Sequence, residues 1–346
     1  MNAFIAVLLT QDGLTTGAIY ALLAIALVML FSVTRVILVP QGELVSFAGL
    51  TIAAVQAGRM PGTLWILAIG GILVAAVDIV SYLRGERTRA RLISAAIYFF
   101  GPLLVIALSR AAAGIQVPAV LSAALTLLIV VPIAPMMYRL AFEPLANASV
   151  LVLLMVAVAV HFALMGLGLI FFGPEGVRTP PLFPGQITAA GFNLSQQALF
   201  VITTAIVLMM GLALFFGRTL RGKALRATAM NRTGARIVGI RTSSAGVTAF
   251  LLAGVIGAVS GILISPVTTV YYDTGFLIGL KGFMAAIVGG LASYPLAAFG
   301  ALVIGLLETF SSFYASGYKE VIVFALVIPI LIWRSLFSRH VEEHEE

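Results

Sequence analysis

A chain of 346 residues that is 61% apolar and only 10% charged has a mean hydropathy of +1.14. Soluble domains carry roughly 25% charged residues, so a soluble enzyme, a nucleic-acid binder and a disordered regulator are all excluded. The absence of cysteine removes disulfides and thiolate chemistry, and three histidines, His161, His340 and His344, are too few for a zinc or iron centre. The composition is that of an all-α polytopic membrane protein.

A helix needs about 20 mostly apolar residues to cross a hydrocarbon core about 30 Å thick. Eleven transmembrane or re-entrant stretches are predicted, in chain order: Leu14–Val33, Leu44–Ala57, Thr63–Val80, Leu92–Leu108, Val117–Met137, Val150–Phe172, Gln197–Phe216, Ala245–Ile264, Phe276–Leu291, Leu296–Phe313 and Val321–Leu336. Leu44–Ala57 and Phe276–Leu291 are short for a straight span and read as tilted, broken or re-entrant helices shielded by their neighbours. The first nine residues are apolar too, but no basic n-region or small-residue cleavage site makes them a signal peptide. They read as the start of a long first helix or an interfacial turn.

Lysine and arginine placement sets the orientation. With the N-terminus outside, fifteen of the 20 basic residues fall on inside loops. These are Arg35, Arg84, Arg87, Arg89, Arg91, Arg139, seven between Arg218 and Arg241, Arg334 and Arg339. Four fall outside (Arg59, Arg110, Arg178 and Lys319), and Lys281 lies within a span. The predicted topology is N-out and C-in, ending in an acidic tail, 341–346. The net charge of +7 is thus a topology signal and not a nucleic-acid footprint. The outside stretch from Gly173 to Gln196 is long and rich in Pro and Gly, either a connector or a cap that meets an external partner.

The inside loop RTLRGKALRATAMNRTGARIVGIR (Arg218–Arg241) has seven basic residues and no acidic one. A short helix over Leu220–Ala229 is predicted from its strong helix formers. It serves as a lipid-binding anchor or as a preorganised contact for a soluble partner. GRTLRGKA (Gly217–Ala224) nearly matches a phosphate-binding loop, but Ala224 replaces the magnesium-binding hydroxyl and no strand precedes it. No ATP site is assigned to this chain.

Several stretches in order carry a family resemblance: GLTTGAIYALLAIALVMLFSVTRVI (Gly13–Ile37), PQGELVSFAGL (Pro40–Leu50), YRLAFEPLANAS (Tyr138–Ser149), GRTLRGKALRATAMNRTGARIVGI (Gly217–Ile240), TAFLLAGVIGAVSGIL (Thr248–Leu263), DTGFLIGLKGFMAAIVGGLAS (Asp273–Ser293) and GLLETFSSFYASGYKEVIVFALVIPILIWRS (Gly305–Ser335). The chain resembles the permease subunits of ABC importers for branched-chain amino acids, the LivH type. The resemblance implies a second permease subunit, homologous or identical, two cytoplasmic ATPase subunits that hold ATP and magnesium, and a periplasmic substrate-binding protein. It implies no cofactor on this chain. On this basis the basic loop becomes the segment that docks on an ATPase, with Arg218, Arg221, Arg226, Asn231, Gly239 and Ile240 as its candidate residues. The chain departs from the family pattern at Met230 and Asn231, where members carry acidic residues. It departs again at Gln41, where members carry histidine before the pair matching Gly42 and Glu43. Pro61–Gly114 resembles nothing in the pattern and reads as an inserted, peripheral two-helix hairpin.

Ionisable groups inside a bilayer are costly and mark pairing or function. Lys281 and Glu308 each lie about 7–8 Å below the outer ends of consecutive spans at 1.5 Å per residue. A structural ion pair is the cheaper arrangement, and contact with solute is the alternative. Asp78 is expected to pair locally with Arg84. His161 reads as a hydrogen-bonded core histidine or a pathway residue. Gln41, Glu43, Gly257 and Gly261 complete the pathway or structural candidates, since glycine lets helices approach and bares backbone to a zwitterion. No catalytic residue and no metal ligand is assigned. The function read from the sequence is the membrane-spanning permease of an ABC importer, with an ion-coupled secondary transporter of a small polar solute as the alternative.

Overall fold

The computed structural model describes residues 3–84, 89–115, 117–189, 192–326, 328–330 and 332. Arg87, Arg334, Arg339, His340, His344, the last part of the Val321–Leu336 stretch and the acidic tail lie outside the described residues.

Helix α1 (Ala3–Thr34) is the axis of the bundle, with residues 18–30 all buried. Arg35 takes a left-handed conformation (φ 58°) that ends α1 and turns the chain. A short extended run with Val36 and Leu38 buried then leads into α2 (Gln41–Gln56), whose first turns are enclosed on all sides. Next come α3 (Thr63–Leu83) and α4 (Arg89–Ala112), which pack on each other. Pro102 lacks the N–H that would bond the Tyr98 carbonyl, and that carbonyl lies against Gly71 of α3. Helices α5 (Ala119–Val130) and α6 (Ile133–Met137) and a π-helical turn, Tyr138–Phe142, form one kinked span.

Helix α7 (Val150–Phe172) is capped by the Ser149 hydroxyl. A connecting segment follows, in which β1 (Gln186–Ala189) pairs antiparallel with β2 (Phe192–Ser195). This short hairpin in a connecting segment leaves the all-α class of the chain unchanged. The chain continues through α8 (Gln196–Arg218), α9 (Leu220–Met230), α10 (Arg232–Ile237), α11 (Thr242–Ile264), α12 (Thr274–Val288), α13 (Tyr294–Tyr314) and α14 (Lys319–Ala325). From Ala3 on, these first residues belong to the long α1, the helical option of the two expected for them.

Among the described residues, eight helices are long and apolar enough to cross a membrane, and they coincide with eight of the eleven predicted stretches. The stretches Leu44–Ala57 and Phe276–Leu291 are α2, of 16 residues, and α12, of 15, both too short for a straight crossing. The eleventh is described as α14 up to Ala325. Large apolar side chains stand exposed along the outer helices, including Ile93, Ile97, Phe100 and Leu104 of α4 and Met155, Phe162 and Ile170 of α7. Such patches would aggregate in water and are at home against lipid.

Candidate functional site: buried polar clusters and a basic end

Two short helices start inside the bundle and meet there. Gln41 Nε2 donates to the carbonyl of Ala253, midway along α11, at 3.0 Å. Glu43 Oε1 lies 2.6 Å from Nδ1 of His161, midway along α7. The first turn of α2 is therefore level with the middle of both spans. A Cβ at Gly42 would stand 1.9 Å from the Gly275 carbonyl oxygen, which places the start of α12 against the start of α2. Ser46 ties the two together, donating to Tyr271 O and accepting from Gly275 N at 2.6 Å. Gly257 and Gly261 of α11 close the other side, where Cβ atoms would meet Leu44 and the Val45 carbonyl.

His161 also stacks on Phe276 with ring centres 4.5 Å apart. Glu43 and His161 are 1% and 4% exposed, so this is a fully enclosed hydrogen-bonded pair. Glu43 Oε2 and Gln41 Oε1 are buried with no hydrogen-bond partner among the described residues. An orphaned buried acceptor costs about 1–3 kcal/mol, and more if charged, so the cluster is a reserve of polarity that packing alone does not require. His161→Leu is expected to lower stability by about 3 kcal/mol because it strands the Glu43 carboxylate. Adding Glu43→Gln should recover part of that loss in a detergent melting assay. An additive loss in the double variant would mean that the two side chains are not coupled.

The second cluster lies near the other face of α12. Lys281 Nζ is 2.5 Å from Glu308 Oε1 of α13 and 3.2 Å from Glu320 Oε1 of α14. The Tyr20 hydroxyl donates to Glu308 Oε2 at 2.6 Å. These groups face a cavity of about 560 Å³ walled by α1, α12, α13 and α14, which also exposes Asp12, Thr16 and Lys319. Sequence reasoning placed Lys281 and Glu308 but missed Tyr20 and Glu320. Glu320 opens the last helix as an isolated acid beside Lys319, and that was a signal to be had.

The third element lies at the end of the bundle where α1 finishes. Helix α9 buries Gly222, Leu225 and Thr228 and turns Arg221, Lys223 and Arg226 outward, beside the exposed Arg218 that ends α8. The Thr219 hydroxyl caps α9 through Gly222 N, and Asn231 Oδ1 caps α10 through Gly234 N at 2.8 Å. Asn231 is thus held as an N-cap. Gly239 (φ 86°) and Ile240 close α10, with Gly239 N bonded to Arg236 O and Ile240 N to Ala235 O. This double bond is the glycine-dependent helix stop. Asp78 meets Arg91 at 3.0 Å and Arg139 at 2.7 Å, which corrects the expected local partner Arg84. Burial decides this: Asp78 faces inward from α3, where the π-helical turn and α4 present their arginines.

Interior polar clusters, interior helix starts and one basic end define a polytopic, all-helical membrane protein. Residues 9–331 match the family described as the branched-chain amino acid transport system permease component. The chain belongs to that family and is a multi-pass inner-membrane protein. It is 34% identical over 202 residues to the LivH high-affinity branched-chain amino acid permease of Salmonella typhimurium, which covers 56% of this chain and 65% of LivH. LivH of Escherichia coli K12 is 32% identical over 203 residues, with the same two coverages. BraD of Pseudomonas aeruginosa is 28% identical over 203 residues, covering 57% of this chain and 66% of BraD. The chain therefore spans just under two thirds of the length of the relatives it matches.

Proposed function

We propose that this chain is the membrane-spanning subunit of an ABC importer for branched-chain or related amino acids. The family match over residues 9–331 carries the reading, and the branched-chain substrates in the names of LivH and BraD support the solute class. The chain works beside a second permease subunit, two cytoplasmic ATPases that bind ATP and magnesium, and a periplasmic binding protein. It stands N-out and C-in, so that the basic end is cytoplasmic and α9–α10 receives the push of ATPase closure. Exposed arginines on a capped helix suit that role, because the caps fix the segment before the partner arrives. Helices α3 and α4 are a hairpin added to the family core.

The buried Glu43 at the start of an interior helix would also suit an ion-coupled carrier, so the test must separate the two. Uptake of labelled leucine into proteoliposomes is expected only with the ATPases, ATP and binding protein present. Uptake by this chain alone under a proton or sodium gradient would overturn the importer reading. Arg226→Glu is expected to cut uptake at least tenfold while membrane insertion and basal ATP hydrolysis persist. Unchanged uptake would remove Arg226 from the docking contact.

A further inference from the structure

The cavity that Lys281 faces has a satisfied floor and an unsatisfied rim. It lies toward the end of the bundle where α1 begins, opposite the basic end. There Gln11 of α1 donates to the Ser195 carbonyl of β2. On the floor, Glu308 bonds both Lys281 and the Tyr20 hydroxyl. On the rim, Asp12 of α1 is exposed, and its carboxylate has no hydrogen-bond or ionic partner among the described residues. Its neighbour Gly13 packs on Leu306 of α13, which fixes Asp12 at the cavity wall. Lys319, at the start of α14, has a side chain 40% exposed. Its nearest described carboxylate, Glu320, stands at 3.9 Å, beyond hydrogen-bond distance. Asp12 and Lys319 line one cavity, yet they form no ion pair with each other.

These charges select the guest. Three carboxylates (Asp12, Glu308 and Glu320) line the cavity against two ammonium groups (Lys281 and Lys319), so an anion alone is repelled. A guest of one sign satisfies one rim group and strands the other, whereas a zwitterion satisfies both. Leu277 of α12 and Phe313 of α13 line the same cavity at 45% and 51% exposure, an apolar wall beside the charges. The volume of about 560 Å³ lies within the usual span of small-molecule sites, about 300–1,000 Å³. We propose that this cavity recognises an aliphatic α-amino acid. Asp12 takes the ammonium, Lys319 takes the carboxylate, and the aliphatic chain lies against Leu277 and Phe313. The amino-acid class rests on the importer reading above; the two unpaired charges do not.

Saturation-transfer NMR on the full chain, in nanodiscs of phosphatidylethanolamine and phosphatidylglycerol, tests this with L-leucine as the probe. Leucine is expected to bind at least fivefold more tightly than isoamylamine, which lacks the carboxylate, or isocaproate, which lacks the ammonium. Asp12→Asn and Lys319→Gln should each weaken leucine at least fivefold. Lys319→Gln should leave isoamylamine unchanged, and Asp12→Asn should leave isocaproate no weaker. Arg110→Gln, which removes an exposed charge of α4 outside the cavity, should change none of the three. Each variant should melt with the parent, since neither rim group holds a hydrogen bond within the fold. Isoamylamine binding as tightly as leucine, or equal weakening in Arg110→Gln, would overturn the zwitterion site. Leucine binding in detergent but not in these bilayers would give the cavity to the ethanolamine headgroup and overturn it too. Leucine bound by this chain without uptake in the assembled system would keep the site and sink the importer reading. Uptake without binding to this chain would do the reverse.

Discussion

Lys281→Met is expected to destabilise the detergent-solubilised protein by about 3–5 kcal/mol, the cost of stranding a buried charge by removing its partner. Lys281 is only 4% exposed and lies between carboxylates on two other helices. Its bond to Glu308, whose side chain is 15% exposed, carries most of the effect. Glu320 is 37% exposed, so solvent screening leaves its share small. Without the ammonium, Glu308 keeps only the Tyr20 hydroxyl among the described residues, and α12 loses this polar tie to α13. Lys281→Met/Glu308→Gln removes both charges and should restore more than half of the loss. Fluorescence-detected size-exclusion melting reads both effects. A single variant within about 1 kcal/mol of the parent, the ceiling for an exposed pair, would mean that this pair is solvated in the membrane-embedded protein.

The second large effect concerns the crossing where α2 enters the bundle. Gly42→Ala would put a methyl group 1.9 Å from the Gly275 carbonyl oxygen, and Gly261→Ala one 2.2 Å from the Val45 carbonyl oxygen. Both obstacles are backbone, and α2 is hemmed in by α5, α11 and α12. No rotamer change relieves the collision. Either variant is expected to cost about 3 kcal/mol or more, the upper end for overpacking, and to yield little monodisperse protein. Gly257→Ala meets Leu44 Cβ at 3.0 Å and Gln41 Nε2 at 3.2 Å, so the neighbours need to shift only slightly. It should cost about 1 kcal/mol. The grading is the test: equal losses at Gly42, Gly261 and Gly257 would contradict the close approach of α2 to α12.

Helix α9 of the basic segment was legible in the sequence because its determinants are local, whereas α10 was not predicted. Thr219 and Asn231 precede helix formers, and Gly239 stands where a left-handed stop is needed. The predicted helix Leu220–Ala229 differs from α9 by one residue at its end. The shortness of α2 and α12 was equally plain in the apolar run lengths. Their meeting was not, because Gly42 and Gly275 are 233 positions apart and nothing local links them. Asp78 shows the same limit. Arg84 was the nearest basic residue along the chain, yet the fold brings up Arg91 and Arg139.

Composition, apolar run length and the placement of 20 basic residues determined by themselves that this chain is an all-helical membrane protein with one strongly basic loop. Those properties are sums over segments, and water and lipid read them without reference to the fold. Tertiary structure alone decided that Glu43 pairs with His161 and that Lys281 serves two carboxylates. A helix that is apolar all round has no hydrophobic face to say which side meets protein and which meets lipid. Its orientation is settled by close packing at glycines and by the need of each buried charge to find a partner, and both are contacts between distant parts of the chain.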